Sequence, residues 1–210
     1  MFALLGDVIH EVPREAVEST TCPIKYTQIR TGWIPEYEDI AMADGTIDYA
    51  KVIECMTGDA ERMQLAADAI NAIPDGCPAI VLANRVQYLT DLSEKYTKRS
   101  VCISGAGQSK AAKEKRKQSL AMLNAGEIDC IFATYHLAKE GLDVPNLRYV
   151  VFATPEKDET TVIQAAGRVG RKSDGKDVGR VIDFVDDFGM YLGWAKKRVG
   201  FYKKINATEE

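Results

Sequence analysis

From residue 78 onward the chain alternates short, almost wholly apolar runs with longer stretches whose apolar positions recur at helical spacing. PAIVLA (78–83), SVCIS (100–104), DCIFAT (129–134), RYVVFAT (148–154) and GRVIDFV (179–185) read as strands. Between them lie helical patterns over 85–96, 109–125 and 158–171, a short turn or helix through Lys139, and a closing basic helix over 187–203. A strand that is apolar on both sides must be covered on both sides. The alternation therefore predicts an α/β fold, a parallel sheet with helices on both faces joined by right-handed crossovers.

The first 77 residues are less regular. LGDVIHEV (5–12) has strand character, while TCPIKYTQIRTGWIPEYED (21–39) mixes turn formers and aromatics with little periodicity. Two helices are expected near 46–57 and 59–73, the second capped by Asp59. The tail INATEE is expected to fray. The organisation so read is a lead-in over 1–77 packed on the lobe, a core over 78–186, and a basic helix with a tail over 187–210.

With 210 residues, 46% of them hydrophobic, the chain can bury one substantial core. It holds no apolar run of the roughly 18 residues that cross a bilayer, and MFALLGDVIHEVPRE lacks the basic start and cleavage pattern of a signal peptide, so a soluble, cytoplasmic protein is expected. The five cysteines (22, 55, 77, 102 and 130) are scattered and form no C-x-x-C, and the two histidines, His10 and His136, lie far apart. Neither a disulfide framework nor a metal site is expected, and the thiols read as buried. Residues 1–100 hold nine basic and 16 acidic side chains, and residues 101–210 hold 18 and 15. The second half can thus present a basic face to phosphates, or simply a solvated charged surface.

One segment asks for more than packing. In QAAGRVGR (164–171), a helix would set Gln164, Arg168 and Arg171 at i, i+4 and i+7 on one face. Gly167 and Gly170 would each cost about 1 kcal/mol inside that helix relative to alanine. An anionic ligand or another backbone approaching closely would account for them; a solvated basic helix end is the plainer reading.

QAAGRVGR resembles motif VI of the superfamily 2 helicases, Q/H-x-x-G-R-x-G-R. ATYHLAKEGLDVPNLRYVVFATP (133–155) resembles motif V, with its core at Glu140, Gly141, Asp143 and Pro145, and PAIVLANRVQYLTDLSEKY resembles motif IV. ISG followed by KEKRKQSLAMLNAGEIDCIFAT is similar to the strand, loop, helix and strand that connect them. The likeness covers 78–186 in the family's order, and implies the second RecA-like domain of a helicase motor. Within the family the chain looks most like phage-type and restriction or repair-type DNA helicases.

By that resemblance Arg168 and Arg171 are arginine fingers on the triphosphate of ATP, Gln164 lies near the terminal phosphate, and Gly141, Asp143 and Glu140 meet the nucleotide or the facing lobe. Arg85, Gly105, Thr134 and Tyr135 become candidate nucleic-acid contacts, with DNA expected ahead of RNA. The lysine-rich helix around Lys115 reads as a solvated face, and Trp33, Tyr37 and Trp194 as packing residues or base-stacking ones. No G-x-x-x-x-G-K-[ST] is present, and VIDFVDD (181–187) reads as a last core strand with Asp186 and Asp187 capping the next helix, not as a Walker B strand. The resemblance therefore implies that ATP and Mg2+ are held mainly by a first lobe, in a longer polypeptide or a separate subunit, and that this chain alone is inactive. Two other readings stay open: a degenerate helicase-fold binding module, and a stand-alone nucleotide enzyme, which the missing phosphate loop disfavours.

Overall fold

A computed structural model describes residues 20–103, 110–139 and 143–210. In chain order the elements are β1 (Ile24–Arg30), α1 (Tyr37–Ile40), α2 (Tyr49–Gly58), α3 (Ala60–Asn71), β2 (Ala79–Ala83), α4 (Val86–Glu94), β3 (Ser100–Ile103) and α5 (Lys110–Ala125). There follow β4 (Cys130–Thr134), α6 (Tyr135–Lys139), β5 (Tyr149–Phe152), α7 (Glu159–Arg168), β6 (Gly179–Val185), α8 (Gly189–Lys204) and β7 (Thr208–Glu209). The strands form one sheet in the order β3-β4-β2-β5-β6-β1-β7, and every pairing is parallel.

The alternation of side chains along β2 divides the core in two. Ile80 and Leu82 face Ile131, Val150 and Phe152, closed over by Leu123 of α5, Val162 and Ala165 of α7 and Tyr202 of α8. Ala79, Val81 and Ala83 face the other way, onto Ala66 and Ile70 of α3 and Leu89 and Leu92 of α4. This is the two-faced burial that the continuous apolar runs demand. A third, smaller cluster of Trp33, Ile40, Val52, Met56 and Tyr191 joins α1, α2 and α8.

Several expectations are corrected. The aperiodic stretch 21–39 contains β1, which pairs with β6 along its whole length from Ile24 opposite Gly179 to Arg30 opposite Val185. The tail is tied down, Lys25 and Tyr26 pairing with Thr208 and Glu209. Asp59 caps α3 as expected, accepting from the Arg62 amide at 2.7 Å. Asp186 and Asp187 do not cap α8, whose N-cap is Phe188 with no side-chain bond. Asp186 is fully buried against Arg62, and Asp187 pairs with Arg30. Of the five thiols only Cys130 is fully buried. The strand expected over 5–12 lies outside the described residues, as do Gly105, Glu140 and Gly141.

Candidate nucleotide and nucleic-acid surfaces

Helix α7 follows β5 after the connection 153–158. Asp158 caps it, accepting from the Thr161 amide at 3.0 Å, and Glu159 adds negative charge to the first turn, where the helix dipole favours it. The helix stops at Arg168, with Val169 as its C-cap, so Arg171 does not continue the helical face as its spacing suggests. Instead the chain turns and pairs with the segment entering β1. The Cys22 amide donates to Gly170 O at 2.8 Å, and Arg171 bridges Thr21. The two glycines differ in purpose. A Cβ on Gly167 would meet nothing, whereas one on Gly170 would lie 2.8 Å from Ile24 Cδ1, so Gly170 serves the approach of β1. Gly179, at the start of β6, is more tightly constrained: its Cβ would lie 2.0 Å from Val169 O.

The turn nevertheless brings the motif's charges together. Gln164 is exposed, and Arg168 and Arg171 are half-buried. An Arg171 guanidinium nitrogen donates to Asp143 Oδ1 at 2.9 Å, joining the segments that resemble motifs V and VI. Burial, and then the charge of Arg171, pull the Arg168 pKa down, while Asp143 offsets this. Behind them Lys176 is almost fully buried and donates from Nζ to Arg171 O at 2.8 Å. Sequence reasoning missed Lys176, which carries no motif of its own. Two partly desolvated guanidiniums with a third cation behind them gain from an added anion, so the cluster fits a polyphosphate.

The other candidates lie at the carboxyl ends of the strands. Arg85 follows β2 and is exposed, with no capping bond of its own to α4. Thr134 ends β4, half-buried. Tyr135 is corrected as a side-chain contact: its ring is buried beside Phe152 and its hydroxyl donates to Thr154 O, leaving only its backbone for a ligand. Trp33 is core, as packing required, and Tyr37 is exposed with its hydroxyl donating to Gly45 O.

Against known proteins, the model of the helicase conserved C-terminal domain matches residues 62–173, more than half of the chain. "Putative helicase 22" of the Sulfolobus islandicus filamentous virus is 31% identical over 124 residues, covering 59% of this chain and 22% of that protein. "Putative ATP-dependent RNA helicase L396" of Acanthamoeba polyphaga mimivirus is 35% identical over 75 residues, 35% of this chain and 14% of that protein. The chain thus spans less than a quarter of either relative. Among solved structures, T4 UvsW aligns over 91% of this chain and 42% of its own with TM-score 0.63 and 23% identity. The C-terminal domain of the DEAD-box protein Dbp5 aligns over 91% of both chains with TM-score 0.58 and 16% identity, which speaks to fold alone. With motifs IV to VI in order on a parallel RecA-like sheet and a family model spanning them, this chain belongs to the helicase conserved C-terminal domain family, as a C-terminal domain of the superfamily 2 type.

Proposed function

We propose that this chain is the second motor lobe of an ATP-driven nucleic-acid helicase or translocase, most akin to the phage-type DNA enzymes. The observation that carries the reading is the convergence of Arg168, Arg171 and Asp143 beside exposed Gln164 at the end of α7. ATP supplies the phosphoryl group that is transferred to water. Arg168 and Arg171 donate to its phosphate oxygens as negative charge develops, and Gln164 orients the group at the terminal phosphate. Asp143 releases Arg171 when the polyphosphate takes its place; Gly141 and Glu140 are assigned to the nucleotide by the motif V resemblance alone. Coordination of Mg2+ is assigned to the facing lobe by the family resemblance alone. Arg85, Thr134, Gly105 and the Tyr135 backbone form this lobe's share of the strand track, with DNA as the partner.

Because phosphoryl transfer depends chiefly on positioning and charge stabilisation, Arg168→Ala or Arg171→Ala in the complete motor should lower ATP turnover by about 10² to 10⁵. Arg→Lys should recover little, since one ammonium does not reproduce the forked guanidinium. Steady-state ATPase rates paired with nucleotide-free DNA binding test this. A second reading, the binding module, draws on the ion pair that already satisfies Arg171 within the chain. Normal turnover with collapsed DNA binding in folded variants would establish that reading instead.

A further inference from the structure

At the carboxyl edge of the sheet lies a cavity of about 580 Å3, within the range typical of small-ligand pockets. Its floor is Asn84, directly after β2, and Pro155 to Lys157, shortly after β5; its walls are Tyr49 and Ile53 of α2 and Met190, Tyr191 and Trp194 of α8. In parallel sheets the crevice beyond the carboxyl ends of the strands is where ligands bind.

The walls are built, not incidental. Phe188, Tyr191 and Trp194 form an aromatic row along one side of α8, with centroids 5.5 and 5.3 Å apart, and Tyr191 is sunk in the cluster around Trp33. That row holds the Trp194 ring in place from behind. Lys157 Nζ lies 5.4 Å from the Trp194 ring centroid. Tyr49, 55% exposed, belongs to none of the core clusters. Glu156, the only acid among the described residues that line the cavity, is engaged: its carboxylate accepts from the amides of Lys157 and Asp158 at 2.7 and 2.8 Å. Asn84 Nδ2 donates to Pro155 O at 3.3 Å, and the next residue is exposed Arg85.

The geometry points to a subsite for one unpaired nucleobase of a bound single strand, stacked on Trp194 and flanked by Tyr49. This rests on the nucleic-acid reading above and adds to it a contact that phosphates alone do not make. A planar heteroaromatic ring suits the aromatic walls, and the Asn84 amide supplies a polar edge to meet it. Arg85 stands one residue away to receive the adjoining phosphate. Lys157, displaced from the indole face, is placed to meet the phosphate on the other side. Aromatic stacking tolerates any base, so the subsite requires no particular sequence.

The test uses the full chain and short single-stranded oligonucleotides, DNA and RNA, in which one position is either 2-aminopurine or an abasic sugar, moved stepwise along the strand. In one register 2-aminopurine should be quenched on binding and the abasic sugar should weaken binding by about fivefold or more. Trp194→Ala and Tyr49→Ala should each abolish that register dependence. Tyr49→Ala decides the matter if Trp194→Ala does not fold, because Tyr49 is outside the core. Equal effects in every register, with binding retained and insensitive to both variants, would overturn the subsite while leaving the strand track intact. The cavity would then be left to an apolar side chain of a protein partner. Failure of every oligonucleotide to bind even at low salt would instead remove the nucleic-acid reading, and this inference with it.

Discussion

Lys176 carries its ammonium into a place already crowded with positive charge. Burial is the main reason its pKa falls to about 8, and the charges of Arg148 and Arg171 push the same way, against Cys22. In the unfolded chain the group keeps its ordinary value near 10.5. A folded pKa below the unfolded one means that the folded state releases its proton first. Between about pH 8 and 10.5 the unfolded chain therefore holds more protons, and stability from this group rises with pH across that window. Lys176→Met removes the titration, so urea unfolding across that range should show wild type gaining stability relative to the variant. Parallel pH profiles would mean that Lys176 is solvated. The residue bears on the proposed function because its Nζ donates to the Arg171 carbonyl, in the turn that carries the guanidinium. Gly179 secures the same turn by steric means, since any side chain there would strike the Val169 carbonyl.

Elements are locked to one another by two buried arginines. Arg62 of α3 donates to both carboxylate oxygens of Asp186 at 2.6 and 3.1 Å, to the Tyr88 hydroxyl of α4 at 2.6 Å and to Ala153 O at 2.9 Å. Arg198 of α8 binds Asp183 in the middle of β6, which also accepts from Gln28 of β1 at 2.9 Å. Removing one partner strands a charge out of water, so Asp186→Ala should cost about 3–5 kcal/mol in chemical denaturation. The double variant Arg62→Met with Asp186→Leu should cost clearly less, and a cost below about 1 kcal/mol for the single variant would show the pair to be effectively solvated. These pairs also explain what could be read from the sequence. The central strands declared themselves because both of their faces are apolar. β1 did not, because IKYTQIR carries polar residues on a half-covered strand, and one of them, Gln28, is needed by Asp183. Asp186 resembled a helix cap because its arginine lies 124 residues away, a separation no local pattern reveals. At the candidate site, the motif pointed to Gln164, Arg168 and Arg171 as candidates, but the early end of α7 and the buried Lys176 depend on β1 crossing behind them. The aromatic cavity was out of reach for the same reason, its walls coming from separate stretches of chain.

At the scale of the molecule, parallel topology separates the two candidate surfaces. Helix α7 runs back from the carboxyl end of β5, so its arginines finish near the amino ends of β1 and β6, beside Thr21 and Gly179. Arg85, Thr134 and the aromatic cavity stand at the opposite, carboxyl edge. On the proposed reading, nucleotide chemistry and strand binding would therefore occupy different ends of one sheet, and variants at one end should leave the other's signature unchanged. The salt dependence of single-strand binding makes this measurable, because each phosphate neutralised contributes about −0.7 to the slope of log K against log salt, whereas stacking contributes little. Binding by this chain alone should be weak and fall steeply as salt rises. Arg85→Glu should make the slope shallower by about 0.7 for each phosphate the chain then fails to neutralise. Tyr49→Ala should shift the line downward without changing its slope, and Arg171→Ala should change neither in the absence of nucleotide. If Arg171→Ala flattens the slope as much as Arg85→Glu does, Arg171 holds phosphates of the strand, and the two ends of the sheet do not divide the work in this way.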